Sequence, residues 1–172
     1  EWHLLIEPSF MKYESAWPIV GSETAVLVPA RFVDGEVLPL QREEVLRLGV
    51  TRKAILDQAP AAAAKVLAGL KPDYVRDKNQ VIQYAVLASE SPLTASAVLA
   101  PGFTELFADT LGPDLLIAIP NRFRILVFPR DTRASQGLSD VVFAEYQSSS
   151  YPVSREVFAL KKGKLIAIGR YR

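Results

Sequence analysis

The chain contains no cysteine. That absence excludes disulfides, thiolate zinc sites, iron–sulfur clusters and cysteine nucleophiles, and it fits a reducing, cytoplasmic setting. Histidine is almost as scarce. His3 is the only one, so a Ser-His-Asp triad would need its base from the amino-terminal strand. No apolar run approaches the roughly 20 residues that a bilayer-spanning helix requires, and no membrane partner is expected. Neither charge is in excess: 20 basic residues against 19 acidic ones leave +1. A near-neutral chain has no overall field to hold nucleic acid, which is not expected as a partner. No strand leads into a Gly-rich loop and helix, so a Rossmann or P-loop site has no support. Calcium-loop spacing is missing as well. Asp34, Glu36, Glu43 and Glu44 lie close together, yet a hairpin turn and a capped helix account for them. No metal or other cofactor is expected.

What remains is an ordinary globular composition, with 49% apolar and 23% charged residues in 172. That length fits one domain over residues 1–172, with 1–24 as an irregular amino-terminal arm. The chain opens Glu1-Trp2-His3 rather than with Met, which reads as a trimmed start. Trp2–Ile6 reads as a short strand, followed by an irregular stretch in which Phe10, Tyr13 and Trp17 are expected to pin the loop to the core. Asp34-Gly35, between Ala25–Val33 and Glu36–Leu40, is a hairpin signal, because both turn positions favour positive φ. Pro29 inside the first of these runs suggests an edge or a bulge.

Gln41–Leu48 reads as a helix closed by Gly49, and Thr51 caps a longer one with Ile55, Ala59, Ala62, Ala63, Val66, Leu67 and Leu70 on one stripe. Pro60 predicts a kink or a new first turn within it. Residues 71–79 read as a polar connection and Val81–Leu87 as a strand. Thr94 is placed as the cap of a helix that Pro101-Gly102 splits, its second part offering Phe103, Leu106, Phe107 and Leu111 to the core. A helix over Ala134–Tyr146 and a closing hairpin around Lys162-Gly163 complete the chain. Strands arriving in hairpins with helices between them predict an α+β fold, a mixed and mostly antiparallel sheet with helices packed against it.

Two runs, Leu115–Ile119 and Ile125–Phe128, are apolar at nearly every position, as in strands covered on both faces. They are expected to form the central hairpin, turning at Pro120–Arg122. Polar groups crowd its turn and exit: Asn121, Arg122, Arg124, Arg130 and Arg133. Guanidinium forks suit carboxylate or phosphate, and alternation puts Arg122 and Arg124 on one side, so these five residues are the candidate anion-binding face, gathered at one rim. A secondary candidate is Ser89, Glu90 and Ser91, where a strand ends and a helix begins. Turn and capping preferences explain that stretch equally well. The basic carboxyl-terminal residues Lys161, Lys162, Lys164, Arg170 and Arg172 read as solubilising a sheet edge.

The order of a short helix ending Leu48-Gly49, an Ala-rich helix, SPLTASAVL at Ser91–Leu99, DLLIAIPNR at Asp114–Arg122, and Ser139-Asp140 opening a helix resembles the YtpQ-like family of bacterial proteins of unknown function. The resemblance spans about residues 37–168. It implies a cytoplasmic bacterial α+β protein and adds no catalytic residue. In that family's pattern an acidic residue follows the Pro-x-Arg turn, and here Phe123 holds that place.

The residues therefore point to a non-catalytic binding or protein-interaction module with an arginine-rich face, its partner an anionic small molecule or another protein. The competing expectation is an enzyme acting on an anionic small molecule through Ser89–Ser91. The two differ in what a concave surface should hold: Glu90 facing Ser91 and an arginine for the enzyme, or an exposed apolar patch near Trp17 for the module.

Overall fold

A computed structural model describes residues 1–130 and 137–170. Two antiparallel sheets pack together, and the expected α+β architecture is present. In the first sheet, β1 (His3–Pro8) pairs with β3 (Ala25–Val33), whose other side takes β2 (Trp17–Pro18) and then β4 (Glu36–Pro39). Pro29 lies inside this sheet rather than at an outer edge. Its carbonyl accepts from the Leu40 N–H, so its missing N–H points to the same side, into the gap where β4 has ended and β2 has not begun. Asp34 and Gly35 both take positive φ, as the hairpin signal requires.

The second sheet runs β10-β9-β7-β8-β6-β5. Its centre is the hairpin of β7 (Leu115–Asn121) and β8 (Arg124–Pro129). Ile117, Ile119, Ile125 and Val127 face one way, into the main core with Phe103, Phe107 and Phe158. Ala118, Leu126 and Phe128 face the other, under Leu138 and Val142 of α4 (Leu138–Ser148). Both faces are covered, which is why nearly every position in these strands is apolar. The turn falls at Arg122–Phe123 and shares only Arg122 with the expected Pro120–Arg122 break, with Pro120 inside β7 at an irregularity of register. Lacking an N–H, Pro120 contributes its carbonyl instead, to the Val153 N–H.

β5 (Asp73–Arg76) pairs with β6 (Ile82–Ala88), so part of the expected polar connection is an edge strand. The segment after Ser91 is a buried 3-10 helix, Thr94–Leu99, and Thr94 lies inside it; its hydroxyl donates to the Ser91 carbonyl instead of capping. In α3 (Phe103–Leu111), Phe103, Phe107 and Leu111 are buried as expected, but Leu106 is exposed. α1 (Arg42–Leu48) ends at Gly49 with positive φ. α2 (Arg52–Ala68) starts from Thr51, whose hydroxyl accepts from the Ala54 N–H, and continues through Pro60 as one helix with no new first turn. α4 begins at Leu138; the 134–136 part of the helix expected there lies outside the described residues.

Residues 1–24 do not stand apart. β1 is buried along its length, Ile6 and Ile19 enter the main core, and the Gln58 side chain of α2 accepts from the Trp2 N–H. The sheets are joined by a second connection. Val20 bridges Ile166 of β10 (Lys164–Arg170), and the Ala167 N–H donates to the Val20 carbonyl. Beyond it, the Glu156 carboxylate at the start of β9 (Glu156–Lys161) accepts from the backbone N–H groups of Glu23 (3.0 Å) and Thr24 (3.1 Å) and from the hydroxyls of Ser22 and Thr24. No helix among the described residues is long and apolar enough to cross a membrane.

Candidate functional site

The structure separates the arginines that the sequence groups. Arg124 shares the face of Leu126 and Phe128 and pairs with Glu145 of α4 at 3.2 Å. Arg122, lifted out of the alternation by the turn, goes the other way and bonds Glu7 of β1 through its terminal nitrogen. Arg130 lies past the far end of β8, roughly 20 Å along the strand at about 3.4 Å per residue. Arg133 lies outside the described residues. Asn121 uses its side-chain oxygen to accept from the Phe123 N–H at 2.9 Å, closing the turn. The described ones, Asn121, Arg122, Arg124 and Arg130, do not form one rim.

Arg122 and Glu7 floor a small cavity of about 190 Å³ beneath Phe10, Met11 and Tyr151. Phe10 is 61% exposed, so it is not the anchor the sequence suggests. The Arg122 guanidinium lies 5.0 Å from the Tyr151 ring centroid. Burial pushes the Glu7 carboxyl above its ordinary range, and the arginine offsets only part of that. The charge here is internally balanced.

The Ser89–Ser91 stretch adjoins the same turn, since the Ser89 N–H donates to the Phe123 carbonyl. Its hydroxyls are engaged locally. Ser89 Oγ accepts from the Ser91 N–H and is hydrogen-bonded to the Thr94 hydroxyl, and Ser91 Oγ accepts from the Leu93 N–H. Glu90 is exposed and, among the described residues, forms no hydrogen bond or ion pair. His3 is buried in β1, and that burial lowers its pKa toward the neutral imidazole. Among the described residues no group of three or more His, Asp or Glu could hold a metal.

A different site stands out by geometry. A groove of about 340 Å³ opens between β2, α2 and the Lys162-Gly163 turn. Leu4, Leu27, Ala59, Leu99 and Leu165 form its floor, with Ile19 beside them. Trp17 and the exposed Val20 and Leu56 form the walls. None of the lining residues is acidic, and the charged side chains among them are Arg52 and Lys164. Arg52 stacks over Trp17, its guanidinium carbon 4.6 Å from the ring centroid, a cation–π arrangement that holds it at the wall. Neither cation has a carboxylate partner among the described residues.

Each part is placed by local sequence. The Thr51 cap fixes the first turn of α2, where Arg52 sits and no acid occurs. Lys162 and Gly163 both take positive φ, making the two-residue turn that delivers Lys164. Pro60 has no N–H, so the Leu56 carbonyl four residues earlier lacks its helical donor on this wall. The sequence flagged Trp17 and Lys164 only singly; Arg52, Leu56 and Leu99 carry no local signal, because the groove exists only once three distant segments meet. Comparison of the chain with protein-family models, with curated proteins and with solved structures finds no match.

Proposed function

We propose that this protein is a non-catalytic binding module that takes a small apolar ligand bearing negative charge into the groove beside Trp17. The expected arginine-rich anion face is then replaced by Arg52 and Lys164. One observation carries the reading: two cations without acidic partners among the described residues overlook an apolar groove large enough for a ligand. Pockets of this kind fix orientation with a few polar groups and take most of their affinity from apolar burial. Arg122 and Arg124, each already paired with an acid, are less suited to a new anion.

An aromatic sulfonate such as anilinonaphthalene sulfonate supplies the test. In a Trp2→Phe variant the remaining tryptophan is Trp17. Saturable dye binding with quenching of Trp17, weakened several-fold by Leu56→Gln, is the expected result. Dye fluorescence unchanged by Leu56→Gln, with Trp17 emission unmoved, would sink the proposal.

A further inference from the structure

We infer that the ligand of this groove is an unbranched acyl chain of about ten carbons ending in a carboxylate; the inference rests on the binding-module reading above. Three features of the lining select that chemistry.

The first is the poverty of hydrogen-bonding side chains. Pro18 and Pro60 lack N–H groups, and besides the Trp17 indole N–H the hydrogen-bonding side chains along the groove are those of Arg52 and Lys164. A peptide laid here would bury amides without partners, which is costly. An alkyl chain has no such groups to satisfy. The second is the head group. The Arg52 guanidinium presents a planar donor fork that matches the two oxygens of a carboxylate, and Lys164 adds a second positive charge to the lining. The third is capacity. A volume of about 340 Å³ holds roughly eleven heavy atoms if each needs about the 30 Å³ that a water occupies. Binding is reversible and no bond is made or broken.

Calorimetric titration of the full chain with decanoate, below its micellar concentration, is the direct experiment. One site is expected, with affinity rising about threefold to fourfold for each CH₂ added from hexanoate to decanoate, as transfer of apolar surface predicts. Arg52→Gln combined with Lys164→Gln, which removes both charges and keeps most of each stem, should weaken decanoate about tenfold and decanol far less, while Leu56→Gln weakens both. Decanoate should also displace the aromatic sulfonate. Both cations and Leu56 are exposed, so these variants should fold. Three results would overturn the assignment while leaving the groove a ligand site: decanol binding as tightly as decanoate, decyl phosphate binding more tightly, or the sulfonate remaining bound in excess decanoate. Failure of every one of these compounds to bind, the sulfonate included, would overturn the site itself.

Discussion

Arg122 and Arg124 are two positions apart, yet their removal should have unlike consequences. The Arg122 side chain is 16% exposed and its partner Glu7 3%, against 42% and 29% for Arg124 and Glu145. Arg122→Ala strands a buried carboxylate, a change that costs about 3–5 kcal/mol, whereas Arg124→Ala opens a surface pair worth about 1 kcal/mol or less. The pH dependence separates them further. The folded Glu7 carboxyl already lies above its ordinary value because of burial, so it opposes folding progressively as pH rises from the unfolded pKa to the folded one. Removing Arg122 raises the folded value further, so the loss relative to the parent should deepen as pH rises above the parent's folded value and shrink in acid, where Glu7 takes a proton in both. Urea unfolding of both variants across that range measures this, and equal losses would show the buried pair to be inconsequential. The sequence made these arginines look alike because alternation puts both on one side. The turn at Arg122–Phe123 interrupts the alternation, and no local signal distinguishes a turn there from one at Pro120.

At the level of elements, legibility followed how local the determining physics is. Asp34-Gly35 and Lys162-Gly163 announce their turns because the positive φ is a property of those residues alone. β7 and β8 were recognisable as the central hairpin because double-sided burial leaves a continuous apolar run. β5 was not. Tyr74 and Val75 are its only apolar residues, and its extended form comes from pairing with β6 along a sheet edge. Thr94 misled for a related reason, since its hydroxyl bonds a carbonyl in a buried 3-10 turn instead of capping. Thr51 shows the legible case, its hydroxyl accepting from the Ala54 N–H at 3.1 Å. Thr51→Ala should lower stability by about 1 kcal/mol with an unchanged denaturant slope. No loss at all would mean that packing of Ile55 and Ala59 alone holds the start of α2.

For the whole molecule, the groove and the junction between the sheets share one segment. Residues 17–20 supply a wall of the groove, and residues 22–24 close over Glu156 of the other sheet. Gly21 between them has φ +78, and a Cβ there would stand 2.5 Å from the Ala167 carbonyl oxygen, so the strands approach as closely as glycine allows. Neither contact was readable from sequence, because Glu156 looks like any strand-opening acid until Ser22 and Thr24, over 130 positions away, surround it. Burial pushes the Glu156 carboxyl up, but the hydrogen bonds from Ser22, Thr24 and Glu23 outweigh it and hold the group below the usual carboxylate range. A depressed carboxyl stabilises the fold above its unfolded pKa, and that stability disappears as pH falls through the folded value. Glu156→Gln keeps the shape but offers a weaker acceptor and a misplaced donor, so it should cost about 2–3 kcal/mol near neutrality. The gap to the parent protein should close in acid, where the parent carboxylate is itself protonated. Because Trp17 and Val20 lie just upstream of the bonded loop, the same substitution should weaken sulfonate or decanoate binding without touching a lining residue. Thermal unfolding across the acid range, paired with ligand titration near neutrality, tests both consequences, and a stability gap independent of pH would show that the Glu156 charge does not join the two sheets.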